Sequence, residues 1–281
     1  MQEGKGSRTA DRVAERRAAH QVRDRPLVLD DPIALRVIHP EVARALREHP
    51  PAIETPLGPY LRAFFVMRSR FAEDELALAV GRGVRQYVVL GAGFDTFAYR
   101  NPFPDLRVFE VDHPDTQAIK RQRLADGGID IPASLTFVSI DFTTTALGDA
   151  LHTAGFDASA PAFFSWLGVV PYLERPAIDA TFRFIAALPQ GTEVVFDYAV
   201  PPETLSWAGR LIYRKMAKRV AAVGEPWKTF FDPKELMPDL RRLGFTSAED
   251  FDGDALNERY FKGRTDRLKI GGMGHMAMAR V

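Results

Sequence analysis

The strongest constraint on the fold of this 281-residue chain is a series of short apolar runs, most of them followed by a segment of helical pattern. The runs are Gln86–Leu90, Arg107–Val111, Leu135–Ile140, Ala162–Leu167 and Glu193–Tyr198, all rich in β-branched and aromatic residues. Gln86–Leu90 is apolar on both faces, as a central parallel strand must be. Helical patterns at Asp115 to Leu124 and Pro176 to Leu188 alternate with the runs. Strand, helix, strand at this spacing implies right-handed crossovers, so the expected class is α/β with an open, mainly parallel sheet. An apolar content of 46% is ample for its core.

The flanks read as helical. Ser7 to Val22 carries charges interleaved with alanine, Asp31-Pro32 has the form of an N-cap followed by proline, and Leu57 to Val80 recurs at helical spacing with Arg62, Arg68 and Arg70 on its polar face. Pro201 to Leu243 is again helical, and strands are expected near Ser247 to Phe251 and at His275 to Ala279. One domain of four parts follows: a helical cap at 1–80, a core at 84–200, a helical lid at 201–243 and C-terminal strands at 244–281.

Charge and composition remove several classes. Lys+Arg and Asp+Glu both number 37, so no electrostatic footprint for nucleic acid is expected, nor a basic segment for an anionic membrane. Cys 0 excludes thiolate chemistry, and six scattered histidines show no metal-ligand spacing, so no metal is expected. The charged first residues lack the apolar core of a signal peptide, and no apolar run is long enough to span a bilayer. The chain reads as cytoplasmic.

In an open α/β sheet a ligand sits at the carboxyl ends of the strands, where the first strand-to-helix turn must approach it closely. Gly91-Ala92-Gly93 stands at that turn, and Asp112, about twenty residues on in FEVDHP with Glu110 just before it, is placed to accept from ribose hydroxyls. Asp95 separates two cofactor classes. Diphosphate wants bare backbone N–H groups, which a carboxylate would repel, whereas S-adenosylmethionine carries a sulfonium and no phosphate. Asp141 in SIDF is placed to accept from the adenine amine, with the Phe142 N–H beside it. Each acid has a bland alternative as a helix cap.

Together LGAGFDTFAYR, FEVDHP, the SIDF acid and SWLGVVPYL, in this order, resemble the leucine carboxyl methyltransferase family, from about Ser7 to Val281. The resemblance implies a class I, Rossmann-like S-adenosylmethionine-dependent methyltransferase with extra N-terminal helices and a helical lid after the fifth strand. It also implies that an arginine before the first strand holds the cofactor's carboxylate. In MRSRFAEDEL this is similar to Arg68, with Arg70 the competitor, and a second basic residue is similar to Arg25. Where relatives commonly carry an acid after the fourth strand, this chain has Leu167.

Methyl transfer from an activated sulfonium needs alignment and exclusion of water more than acid-base machinery. A carboxylate acceptor needs no base, while a hydroxyl wants a proton acceptor within reach. Tyr198, His113 and Tyr172 are candidate catalytic groups and His275 is a further polar one, although structural roles compete for each; Trp166 is a candidate wall of the cofactor site. Arg210, Arg214, Lys215, Lys218 and Arg219 of the lid are placed to meet an acidic acceptor or simply to be solvated. The expected activity is O-methylation of a carboxylate or hydroxyl of a small molecule or peptide in bacterial secondary metabolism. An NAD(P)-dependent oxidoreductase and a noncatalytic cofactor-binding protein remain the alternatives.

Overall fold

A computed structural model describes residues 8–48, 57–140, 146–221 and 226–281. Its centre is one seven-stranded sheet in the order β3-β2-β1-β4-β5-β7-β6, formed by β1 (Gln86–Leu90), β2 (Arg107–Asp112), β3 (Leu135–Ser139), β4 (Phe163–Trp166), β5 (Glu193–Ala199), β6 (Ser247–Phe251) and β7 (Gly274–Arg280). The first five strands pair in parallel, and β7 runs antiparallel to both β5 and β6. The expected α/β class is therefore what forms, and all five parallel strands end along one edge.

The helices among the described residues are α1 (Arg8–Arg23), α2 (Pro40–Glu48), α3 (Gly58–Gly81), α4 (Pro114–Asp126), α5 (Leu147–Thr153), α6 (Arg175–Ala186), α7 (Trp207–Ala221), α8 (Pro233–Arg242) and α9 (Gly253–Tyr260). Strand alternation sorts them. Val88, Phe109, Phe164, Trp166, Phe196 and Tyr198 point to one face and join α5, α6 and α8 through Leu151, Ile178, Phe182 and Leu240. Tyr87, Val89, Val108, Phe163 and Val195 point to the other and join α3 through Val66, Met67, Phe71 and Leu76. Both faces are thus covered, which is why β1 could be written without a polar side.

Caps set where the helices begin. The His113 ring accepts the Asp115 N–H at the start of α4, Asp232 accepts from Lys234 ahead of α8, and Asp252 accepts from Asp254 and Ala255 ahead of α9. At Asp31-Pro32 the expectation of a helix is overturned: residues 32–38 form turns and α2 starts at Pro40. The Asp31 carboxylate accepts the Ile33 N–H through one oxygen, but its other oxygen takes Arg17 and Thr96, which draws the chain inward instead of along a helix axis. The start of the first expected helix at Ser7 lies outside the described residues. Among the described residues no helix is long and apolar enough to cross a membrane.

The N-terminal helices are held by buried ion pairs. Arg62 of α3 grips Asp24 with Nε (2.7 Å) and Nη2 (2.9 Å), and His20 Nδ1 lies 2.7 Å from the same carboxylate while its Nε2 accepts the Val28 N–H. Burial would raise the Asp24 carboxyl, yet the bonds from His20 and Arg62 outweigh it and hold the group at about 2. A carboxyl depressed on folding contributes stability that is complete above about 4 and is lost as pH falls through about 2, worth about 2 kcal/mol. Arg62→Met should leave Asp24 buried and unpaired by arginine, costing about 3–5 kcal/mol in urea unfolding at neutral pH. The same variant should flatten the loss of stability between pH 4 and 2; an unchanged acid limb would show that the pair does not hold the cap.

Candidate active site

The turn after β1 is built by backbone that only glycine tolerates comfortably. Gly91 and Gly93 have φ of 66° and 49°, in the left-handed region. A Cβ on Gly91 would overlap Val169 Cγ2, so the turn also packs against the chain that follows β4. The Gly91 and Ala92 N–H groups both donate to Val111 O, at 2.8 and 3.1 Å, tying the turn to the end of β2.

Asp112 completes that tie. Its Oδ2 accepts the Gly93 N–H at 2.5 Å and its Oδ1 accepts the His113 N–H at 2.6 Å. Each oxygen thereby keeps a further lone pair, so the carboxylate retains capacity for a diol. Burial pushes the Asp112 carboxyl above the ordinary aspartate range, and the two N–H donors oppose it. Two residues earlier on the same face, Glu110 is sealed against Lys120 of α4 (2.6 Å) with one oxygen unpartnered, and burial pushes its carboxyl up to about 7 against the pull of Lys120.

Asp95 spends its charge on the protein. Its Oδ1 accepts the Phe97 N–H at 2.8 Å, and Oδ2 faces Arg17 Nη1 of α1 at 3.2 Å. Arg17 Nη2 also reaches Asp31 (2.8 Å) and Thr96 (2.6 Å), so one buried guanidinium fastens α1 across the turn. Burial raises the Asp95 carboxyl, but Arg17 and then Lys120 more than offset this and hold it below its usual range.

Arg68 and Arg70 part company. Arg68 is buried beneath the sheet edge, its Nη1 3.0 Å from Asp197 Oδ2 of β5 and its guanidinium 4.9 Å from the Phe65 ring centroid. Asp197 uses its other oxygen to accept the Gly168 N–H. Gly168 has φ 73°, and a Cβ there would sit 2.7 Å from Arg68 Nη2, so the loop after β4 can close on the guanidinium only as glycine. Arg70 is exposed and bonds Asp74 on its own helix, and Arg25 is exposed and bonds the carbonyls of Gln21 and Asp24.

The remaining sequence candidates scatter. Trp166 lies in the core against Phe182, its Nε1 buried without a partner. His113 is the cap of α4 described above. Tyr172 ends a single 3-10 turn, Val170–Tyr172, and is partly exposed, as is Leu167. Tyr198 is buried and donates to Asp250 of β6 at 2.5 Å. Asp141 and Phe142 lie outside the described residues. Arg210, Arg214, Lys215 and Lys218 are exposed on α7, whose Tyr213 stacks on Trp227; the Arg219 side chain lies outside the described residues. Sequence reasoning missed Arg17, which looks like any helix charge, and Asp197, although an acid near the end of the fifth strand was a readable signal.

Residues 10–186 match the family model described as leucine carboxyl methyltransferase. The chain is 35% identical over 297 residues to YktD of Bacillus subtilis (strain 168), named as an S-adenosyl-L-methionine-dependent methyltransferase, with 95% of each chain covered. A protein of Mycobacteroides abscessus bearing the same description is 33% identical over 242 residues, 84% of this chain and 75% of its own. A solved structure from Thermobifida fusca YX, described as a methyltransferase, superposes with a TM-score of 0.59 at 19% identity, covering 99% of this chain and 96% of its own. At that identity the likeness speaks for the fold alone.

Gly91→Ala should be poorly tolerated at this turn. Left-handed backbone on a residue with a Cβ costs about 1–2 kcal/mol, and the overlap with Val169 adds to it. We expect a lowered melting temperature together with at least tenfold weaker binding of S-adenosylhomocysteine; Gly81→Ala, where nothing lies within 4 Å, should leave binding unchanged.

Proposed function

The chain belongs to the leucine carboxyl methyltransferase family and is an S-adenosyl-L-methionine-dependent methyltransferase; on that premise we propose that the strand ends around Gly91–Gly93 and Asp112 hold the methyl donor and that the reaction is O-methylation. The acceptor is a carboxylate or hydroxyl of a small molecule or peptide, the setting cytoplasmic, and the bacterial origin of the relatives favours a role in bacterial secondary metabolism.

One observation supports this reading most: Asp112 braces the glycine turn through the Gly93 N–H, accepts the His113 N–H with its other oxygen, and still has lone pairs to offer. A diphosphate at this place would meet Asp112 and would find the Gly93 N–H already spent on that carboxylate. A nucleoside with a cationic sulfur meets no such conflict, so the residues present fit S-adenosylmethionine. When bound, that cofactor supplies a methyl group already activated as a sulfonium.

The chain's own residues then have separate tasks. Gly91, Ala92 and Gly93 let the backbone come close, Asp112 accepts from the ribose hydroxyls, and Glu110 with Lys120 stiffens the strand end beneath it. Arg68 offers the cofactor's carboxylate the N–H groups it does not spend on Asp197, a geometry suited to a forked donor. Asp95 acts at one remove, by fixing Arg17 and so bringing α1 over the turn. Phe94 packs on Ala14 and Ala18 of that helix, which keeps the approach apolar and dry.

Titration calorimetry tests the assignment. S-adenosylhomocysteine should bind and NAD should not; Asp112→Ala should weaken binding at least tenfold, the scale of a lost hydrogen bond to a charged group, about 1.5–3 kcal/mol, with the circular dichroism spectrum retained. Heat from NAD with none from S-adenosylhomocysteine would turn the reading toward an oxidoreductase.

A further inference from the structure

At the carboxyl edge of the sheet, three polar side chains form a cluster that cofactor binding does not use. Tyr198 of β5 and His275 of β7 stand directly opposite each other in the antiparallel register, and Asp250 of β6 lies on the same face one strand further. Asp250 Oδ1 accepts the Tyr198 O–H at 2.5 Å, and His275 Nδ1 lies 3.0 Å from Oδ1 and 3.1 Å from Oδ2. The Tyr198 and His275 rings are in contact, their centroids 5.5 Å apart.

The proton positions follow from this packing. Burial, and then the bond to Asp250, drive the Tyr198 phenol far above its usual range, so the hydroxyl stays a donor. Asp250 is therefore the acceptor for both neighbours, and His275 must present Nδ1–H to it. That fixes the tautomer with the lone pair on Nε2. Nε2 has no partner among the described residues, and the side chain keeps 11% of its exposure. The acids that act on Tyr198 are Asp250, Asp232 at the cap of α8 and Asp252 at the cap of α9, the last two spending oxygens on backbone N–H groups, and Arg175 of α6 stacks on the Phe231 ring beside it.

Tyr198 follows Asp197, which holds both Arg68 and the Gly168 N–H, and points to the opposite face of the sheet; His275 is two strands, about 10 Å, from the end of β4. The segment before α8 roofs this corner: the Phe231 N–H donates to Ala199 O, its ring packs on Tyr198, and the Lys228 N–H donates to Pro171 O.

Resting on the methyltransferase reading, we propose that His275 is the general base of this enzyme, oriented by Asp250 and Tyr198, and that the acceptor is a phenolic or alcoholic hydroxyl rather than a carboxylate. A carboxylate is ionised at neutral pH and would leave such a base idle, whereas a hydroxyl must shed its proton as it attacks. As the acceptor oxygen bonds the methyl carbon, the carbon–sulfur bond breaks, the sulfur leaves with the electron pair as a neutral thioether, and the hydroxyl proton passes to His275 Nε2. Asp250 stabilises the imidazolium that results. Asp250 and Tyr198 are positioning residues.

The test uses the full chain, a methyl donor labelled in its methyl group, and a fractionated bacterial cell extract, with products treated with mild base. Methyl esters then release labelled methanol, while methyl ethers keep their label. We expect base-stable label, and a rate that rises with pH as the base loses its proton. His275→Gln should lower kcat about a hundredfold or more, flatten that pH profile and leave S-adenosylhomocysteine affinity within twofold. If that variant fails to fold, Asp250→Asn carries the test, with a tenfold or greater loss of kcat and a displaced profile. Label that leaves as methanol, a folded His275→Gln with wild-type rate and profile, or no labelled product although S-adenosylhomocysteine binds would each overturn the proposal. Failure of S-adenosylhomocysteine to bind at all would instead bring down the reading on which it rests.

Discussion

The structure around the candidate site depends on one carboxylate. Asp112 ends β2 and binds the N–H of Gly93, which belongs to the turn after β1, so the ends of two neighbouring strands are clamped by a side chain as well as by the ladder. A half-buried acid that accepts two backbone N–H groups cannot move without leaving donors unsatisfied, which fixes the turn in the left-handed geometry that Gly91 and Gly93 permit. On the proposed reading the same atoms answer hydroxyl donors and repel phosphate, so that turn geometry, strand-end alignment and cofactor preference meet in one contact.

Charge around this contact is paired among the described residues. Asp95 and Asp31 share Arg17, Glu110 holds Lys120, and Asp197 holds Arg68. Each cation comes from a helix, Glu110 and Asp197 come from strands and Asp95 from the turn after β1, so helices are fastened to the sheet and its first turn. Arg68 spends Nη1 on Asp197 and, on the proposed reading, offers its other N–H groups to the cofactor's carboxylate.

Much of the sheet was legible because parallel strands covered on both sides have to be written as unbroken apolar runs. β1 and β6 fall on the residues read from the sequence, and the other strands differ by one at an end or both. Short helices were not legible: α2, α5 and α9 span two or three turns, too few for periodicity to declare itself. Asp31-Pro32 carried the right chemistry for a cap, but an ion pair with Arg17 outcompeted the helix. Position along the chain put Gly91, Gly93 and Asp112 at the strand ends, and spacing alone could not separate Arg68 from Arg70; two residues apart on a helix, they face nearly opposite ways, and only packing tells which is inside. The Tyr198, Asp250 and His275 cluster joins residues up to 77 apart through sheet registry, a relation no local pattern records.

The central claim is that Asp112 is the group on which a nucleoside is seated. A crystal structure of the protein with S-adenosylhomocysteine reads this directly. The account predicts the ribose hydroxyls within hydrogen-bond distance of the Asp112 oxygens, with the Gly93 N–H contact kept. Ribose seated elsewhere, or a ligand phosphate group accommodated at the Gly91 to Gly93 turn in a parallel soak with NAD, would contradict it.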